Sequence, residues 1–199
     1  MCSASTRNPI LLGARWQRRG VGVAPTNNLG HSALAATLFF QKNILAFRPA
    51  AERAIGLNRM DGSNLATMGM MMAYSGDWEH GCSLVESALQ LNPHHPGWYW
   101  FAHYYNAYRK GDYHGALSIA LKFNMPDHFY THALTAAVYG QLGMREPAHK
   151  ALQELLAIRP DFAMTARKEF EKSLDSELVA HLIDGLCKAG LEVPDQARR

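Results

Sequence analysis

Apolar residues recur at helical spacing along most of the chain. Leu65, Met68, Gly69 and Met72 follow the spacing i, i+3, i+4, i+7. Trp100, His103, Tyr104 and Ala107 hold the same places in a second stretch, and His132, Thr135, Ala136 and Tyr139 in a third. Residues so spaced lie on one face of a helix, so each stretch predicts a helix with one buried stripe. Each stretch runs into a Gly-centred turn: Ser75-Gly76-Asp77-Trp78, Lys110-Gly111-Asp112-Tyr113 and Leu142-Gly143-Met144-Arg145. A second helical stretch follows each turn and stops at Pro93, Pro126 or Pro160. Proline ends a helix because it lacks the N–H that the next turn needs and clashes with the turn before it. The turn glycines are 35 and 32 residues apart and the prolines 33 and 34. That period predicts an all-α chain built as an α-solenoid of helix–turn–helix repeats.

The second helices share a phase as well. Gly81, Ala116 and Ala148 occupy their first close-contact position, where a small side chain lets the two helices of a pair approach. Val85, Ala120 and Leu152 follow four residues on, then Ala88, Phe123 and Leu155. Before the first full unit, Ser32–Phe40 and Phe47–Leu57 read as a degenerate helix pair with Ala54 in the place of Ala88. After Pro160, Asp161 is placed to cap a helix over Phe162–Ser173. Asp175 is placed to cap another over Glu177–Lys188, with Leu178, Leu182, Ile183 and Leu186 on one face and Gly190 at its end. A terminal repeat face must be covered, and this amphipathic pair is the expected cover. The expected organisation is therefore a basic extension over 1–30, a degenerate pair over 31–62, three repeats over 63–160, capping helices over 161–193 and a tail over 194–199.

Charge sharpens the reading of the N-terminal segment. The chain carries +3 overall, but residues 1–51 hold six basic residues and no acid, so the rest has 14 basic against 17 acidic residues. The repeat region is slightly acidic, and overall basicity is no argument for nucleic-acid binding. The Arg-rich, acid-free composition of residues 1–30 overlaps with that of a transit peptide. Ile10-Leu11-Leu12 is too short for a secretory core. The expectation is a disordered extension, or the remnant of a longer protein. No apolar run approaches the roughly 18–20 residues that cross a bilayer. Cys2, Cys82 and Cys187 are odd in number and widely spaced, which suits neither a disulfide framework nor a zinc site and points to a reducing, cytoplasmic location.

The shared positions match the pattern W-x₂-L-G-x₂-Y, then A-x₃-F, then P, so residues 64–160 resemble the tetratricopeptide repeat family. Gly69, Gly76-Asp77-Trp78, Ala88 and Pro93 fall in place in the first unit. Trp100, Gly111-Asp112-Tyr113 and Ala116 do so in the second, which departs at His103-Tyr104 and whose second helix is a turn short. Tyr139, Gly143, Ala148 and Pro160 do so in the third. Three segments carry a narrower resemblance. They are Phe47–Ile55, Ala73–Glu79 and Leu91–Trp100, and they are similar to the C-terminal repeat region of bacterial class III adenylate/guanylate cyclase-like signalling proteins; related repeat regions also follow winged-helix DNA-binding domains. The resemblance implies a sensory or interaction half of a larger architecture. The metal-binding aspartates of a cyclase domain are not supplied by residues 1–30, so cyclase activity is not carried over.

Membership of such a repeat family implies that partners bind a concave face lined by the first helices. The corresponding positions are Ser63, Ala66, Met70, Ala73 and Tyr74, then Trp98, Phe101, Tyr105, Tyr108 and Arg109, then Tyr130, Ala133, Ala137, Gly140 and Gln141. Repeat domains that clamp a chain-terminal carboxylate use Lys, Asn and Arg there, and a lone Arg109 cannot make that clamp. Met70, Tyr74, Trp98, Phe101, Tyr105, Tyr108, Arg109 and Tyr130 instead suit an apolar peptide or an amphipathic helix, or a neighbouring signalling domain. Packing between neighbouring repeats is the competing account of the same aromatics. His128 and His132, four apart, raise the alternative of a His-based metalloprotein, against which stands the absence of any HExxH; Asp127 as a helix cap is the structural account. No nucleophile motif, phosphate loop or carboxylate dyad occurs, so neither an enzyme nor a cofactor is expected.

Overall fold

The computed structural model describes residues 27–194. Among them lie ten α-helices and a 3₁₀ turn. The all-α, repeat-type architecture read from the periodicity is therefore present. The helices are α1 (Asn28–Phe40), α2 (Ile44–Leu57), α3 (Gly62–Tyr74), α4 (Trp78–Leu91), α5 (Phe101–Arg109), α6 (Tyr113–Ala120), α7 (Phe129–Gln141), α8 (Arg145–Ile158), α9 (Phe162–Glu171) and α10 (Ser176–Ala189). The 3₁₀ turn, Gly97–Trp100, leads into α5. The chain divides into two compact units at Pro93. Most of the basic extension expected over 1–30 and nearly all of the tail expected over 194–199 lie outside the described residues.

The first unit packs α1 on α2 and α3 on α4. Its helix starts are set by short polar side chains that accept from otherwise unpaired N–H groups. Asn27 accepts from Leu29 and Gly30, Asn43 from Ala46, and Asp61 from Asn64. The degenerate pair is longer than its apolar pattern implied, starting at Asn28 and Ile44. Asn64 is buried, and both its amide oxygen and its amide nitrogen are bonded. It accepts from the Ser32 hydroxyl at 2.6 Å and donates to the Ala54 carbonyl at 3.3 Å, joining α1, α2 and α3. Between α3 and α4 the backbones nearly touch. A Cβ on Gly69 would sit 2.7 Å from the Gly81 carbonyl oxygen, and one on Gly81 would overlap Gly69 O and Ala73 N.

The second unit pairs α5 with α6 and α7 with α8, and adds α9 and α10. Where α6 stops a turn early, the chain uses the room. Gly97 lies flat against the backbone of Phe123, leaving no space for a side chain. The buried Phe123 ring meets Phe101 at 4.9 Å and Tyr104 at 5.7 Å. Tyr104, at the position where the second unit departs from the repeat pattern, is buried. Its hydroxyl donates to the Leu134 carbonyl at 2.6 Å, so it ties α5 to α7. Burial pushes its phenol well above the ordinary range, and the neighbouring Tyr108 adds to this.

Asp127 is not the cap of α7. His128 is, its Nδ1 accepting from the Tyr130 N–H at 3.3 Å. Asp161 sits at the cap position of α9 but its side chain accepts no capping bond, and that helix ends at Glu171 rather than Ser173. Asp175 does cap α10, accepting from the Leu178 N–H at 2.9 Å, and Gly190 ends it in the left-handed conformation at φ 108°.

These contacts separate two kinds of glycine. Gly76 holds a turn at φ 98° with open space around it; Gly81 is at a helix crossing. Gly76→Ala should cost about 1 kcal/mol, for the left-handed backbone alone. Gly81→Ala should cost about 3 kcal/mol, because α3 and α4 must move apart. Urea denaturation of the two variants checks this, and equal costs would refute the backbone-contact account.

Candidate functional site: the first-helix face of the second unit

The face assigned to a partner divides between the two units. In the first, Ala66 and Ala73 are buried, Met70 and Tyr74 are half-buried and Ser63 is exposed. Tyr74 rests against Trp78, ring centroids 6.1 Å apart. In the second unit the side chains are largely consumed by packing. Phe101, Tyr105 and Tyr108 are buried, as are Ala133, Ala137 and Gly140. Trp98 and Tyr130 are half-buried, and Arg109 is exposed. Of the aromatics expected to line a groove, Tyr108 lies against His181 of α10 and Tyr130 against Phe170 of α9, while Phe101 packs against Phe123 and Tyr130.

α9 covers the start of α7. Phe170 lies 6.0 Å from the Tyr130 ring, and Phe162 lies 5.7 Å from Phe129. The Tyr130 hydroxyl donates to Glu169 at 3.2 Å. Arg159 pairs with Glu169 at 3.3 Å and stacks over Phe129 at 4.6 Å, and Lys172 reaches the same carboxylate at 2.8 Å. Burial on its own would raise the Glu169 carboxyl; hydrogen bonds from Lys172 and Arg159 outweigh it and hold the carboxyl below its usual range. Burial pushes the Tyr130 phenol up, and the Glu169 charge adds to this.

α10 covers the rest. It crosses α7 where both helices carry glycine, so close that a Cβ on Gly140 would overlap the Gly185 carbonyl and lie 2.8 Å from Ala189 N. A Cβ on Gly185 would overlap the Tyr108 hydroxyl and lie 2.7 Å from the Ala137 carbonyl oxygen. Around this crossing sits a polar rim. The Tyr108 hydroxyl donates to the His181 carbonyl at 3.2 Å, and the Tyr113 hydroxyl meets His181 Nε2 at 2.7 Å. The Gln141 amide donates to Asp184 at 2.9 Å and accepts from Lys188 at 2.8 Å, while Lys188 and Asp184 pair at 2.7 Å. The bond from Lys188 holds the Asp184 carboxyl below its usual range, and the same pairing raises the Lys188 ammonium. Burial drives the Tyr108 phenol up and the His181 imidazole down, the latter partly offset by Asp184.

Periodicity places Tyr113 only in the second turn and gives no site role to His181, Gly185 or Lys188. One signal was present: Gly185 and Ala189, four apart, make a narrow low-volume edge beside the broad Leu/Ile face of α10.

The two histidines raised as metal ligands do other work. His128 lies outside α7 as its cap. His132 faces Glu154 through Nδ1 at 3.0 Å and the Pro126 carbonyl through Nε2 at 2.6 Å. Among the described residues no group of three or more His, Cys, Asp or Glu is placed to hold a metal ion. Nor, among them, is any helix long and apolar enough to cross a membrane.

No protein-family model matches this chain, and no curated protein sequence does. A solved structure does share its fold. YrrB, described as a TPR protein with an unusual peptide-binding site, superposes with a TM-score of 0.57 at 12% identity, over 88% of this chain and 93% of that one. At that identity the likeness is one of architecture: this chain folds as a tetratricopeptide-type helical repeat protein.

The site also predicts a pH response. The His128 imidazole is lowered from 6.5 by burial, and its Nδ1 must be unprotonated to accept from Tyr130. His181 is lowered in the same direction. A base held below its unfolded pKa contributes stability that is complete above 6.5 and falls as pH drops toward the folded value. Glu169 and Asp184 add stability that is present above their ordinary pKa values of 4.5 and 3.8 and is lost as pH falls through their lowered values. Urea midpoints of the wild type should therefore drop in two stages on acidification. His128→Asn, which keeps a capping oxygen, should shrink the upper stage to the share of His181 and leave the lower one. An unchanged upper stage would exclude His128 as its source.

Proposed function

We propose that this protein is a non-catalytic interaction module that binds an amphipathic helix or apolar peptide segment of another protein. The observation that carries the reading is that the first-helix face of the second unit, α5 and α7, is shaped for a helix and holds one. Helix-in-groove recognition needs an apolar floor and polar groups at its edge that fix register. Ala137 and Gly140 form the floor here, and Tyr108, Tyr113 and Gln141 form the edge. The peptide-binding description of YrrB is compatible with this reading. Aromatic residues with exposed edges are common anchors of binding energy, and Tyr74 on α3 and Trp98 in the 3₁₀ turn that leads into α5 are half-buried aromatics of this kind. Location in the cytoplasm and a role as the regulatory part of a cyclase-like or transcriptional regulator are finer proposals, supported by cysteine usage and by the wording of the three segments named above.

The test is selection of displayed amphipathic-helix peptides on the full chain, with Trp98→Ala and Tyr74→Ala variants as counter-targets. Peptides should be enriched on the wild type and bind at least tenfold more weakly to one of the variants. Enrichment of no sequence, or equal binding to all three proteins, would remove the module reading.

A further inference from the structure

We infer that the α10 seat is itself a receptor for helices presented by other chains, and that α10 is its tethered, self-masking occupant. The inference rests on the interaction-module reading and names its partner class. The partner is an amphipathic helix with Gly at its closest approach, an acidic residue immediately before that Gly and a basic residue three after it.

The chemistry is read from α10 in place. The floor has no side-chain volume at the crossing: Gly140 and Ala137 meet Gly185 backbone to backbone, and any side chain at Gly185 meets the Tyr108 hydroxyl. A helix with a larger residue there cannot seat. The Gln141 amide reads two charges at once, giving its N–H to Asp184 and taking one from Lys188. Tyr113 and Tyr108 mark the helix one turn earlier through the ring and carbonyl of His181. Leu178, Val179, Leu182, Ile183 and Leu186 fill the adjoining apolar face.

Exchange at such a seat costs little net burial, because an incoming helix of the same pattern covers the same surface. What protects α10 is its tether. It follows α9 through the short connection 172–175, and short links give effective concentrations on the order of millimolar. A free helix at micromolar concentration loses to a tethered copy of itself. The seat opens when the tethered copy is made to fit badly, or when a partner fits better.

The experiment measures binding of a fluorescein-labelled peptide of residues 176–189 to the full chain by anisotropy, with hydrogen exchange on the same samples. Wild type should bind it weakly. Gly185→Val should lose protection in α10, keep it in α5 to α8, and bind the wild-type peptide at least tenfold more tightly. A peptide carrying G185V should bind neither protein. Asp184→Ala/Lys188→Ala, which removes the polar edge without altering the buried face, should give a smaller gain of about threefold. Loss of protection throughout α5 to α8 in Gly185→Val, with no gain in the double variant, would show α10 to be an integral structural helix and overturn the inference. So would a freed α10 with no gain in peptide binding. Either failure, with Trp98- or Tyr74-dependent peptides still selected, leaves the module reading standing; loss of those peptides removes it separately.

Discussion

The second unit depends on one constraint: two helices must touch through their backbones. Gly140 and Gly185 leave no side chain between α7 and α10, and the approach this permits brings Tyr108, Tyr113 and Gln141 within hydrogen-bond reach of α10. Widening the crossing by one methyl group would lengthen the Gln141 bonds, which span the same gap, and would shift α10 relative to Tyr108 on α5 and Tyr113 on α6. The first unit uses the device once more, at Gly69 and Gly81, but there the contact joins the two helices of a single repeat. A backbone contact within a repeat builds the array. A backbone contact between the array and a later helix decides what lies on its face.

Buried tyrosines fix the spacing of the helices around that crossing. Tyr104 and Tyr108 lie on one face of α5 with their rings stacked 5.6 Å apart. One hydroxyl donates to a carbonyl of α7 and the other to a carbonyl of α10. A buried hydroxyl without a partner costs roughly 1–3 kcal/mol, so each ring is acceptable only where its acceptor helix stands at the right distance. α5 thus measures out the positions of both neighbours. This is why the second unit can depart from the repeat pattern at Tyr104 and still hold together.

Much of this was legible in the sequence, and the boundary of legibility has a physical cause. Gly76, Gly111 and Gly143 and the prolines at 93, 126 and 160 act locally, on their own φ or on their own missing N–H, so their spacing reveals the repeats directly. Asp175 and Gly190 bound α10 for the same reason. The docking of α10 is not local. Its apolar spacing states that Leu178, Leu182 and Leu186 are buried, but not against which helix, and Gly140 reads equally as a repeat glycine and as a floor. The cap at His128 is hidden for a simpler reason. An unprotonated ring nitrogen can accept a capping bond as an Asp oxygen does, yet histidine is an uncommon cap and Asp127 beside it is the commoner type.

The aromatic row carries the wider lesson. Phe101, Tyr105, Tyr108 and Tyr130 were assigned to a groove by phase with other repeats, and phase gives the direction in which a side chain leaves its helix. Whether that direction meets water depends on the rest of the chain. Here two further helices with apolar faces follow the last repeat, and those faces must be buried somewhere. The nearest unpartnered apolar surface is the one the repeats would otherwise present. A repeat array followed by an amphipathic helix with a glycine edge is therefore expected to bind that helix first. The polar rim then fixes how that helix lies, through Gln141 and Tyr113, while Phe101 and Tyr105 are buried in the unit's own core.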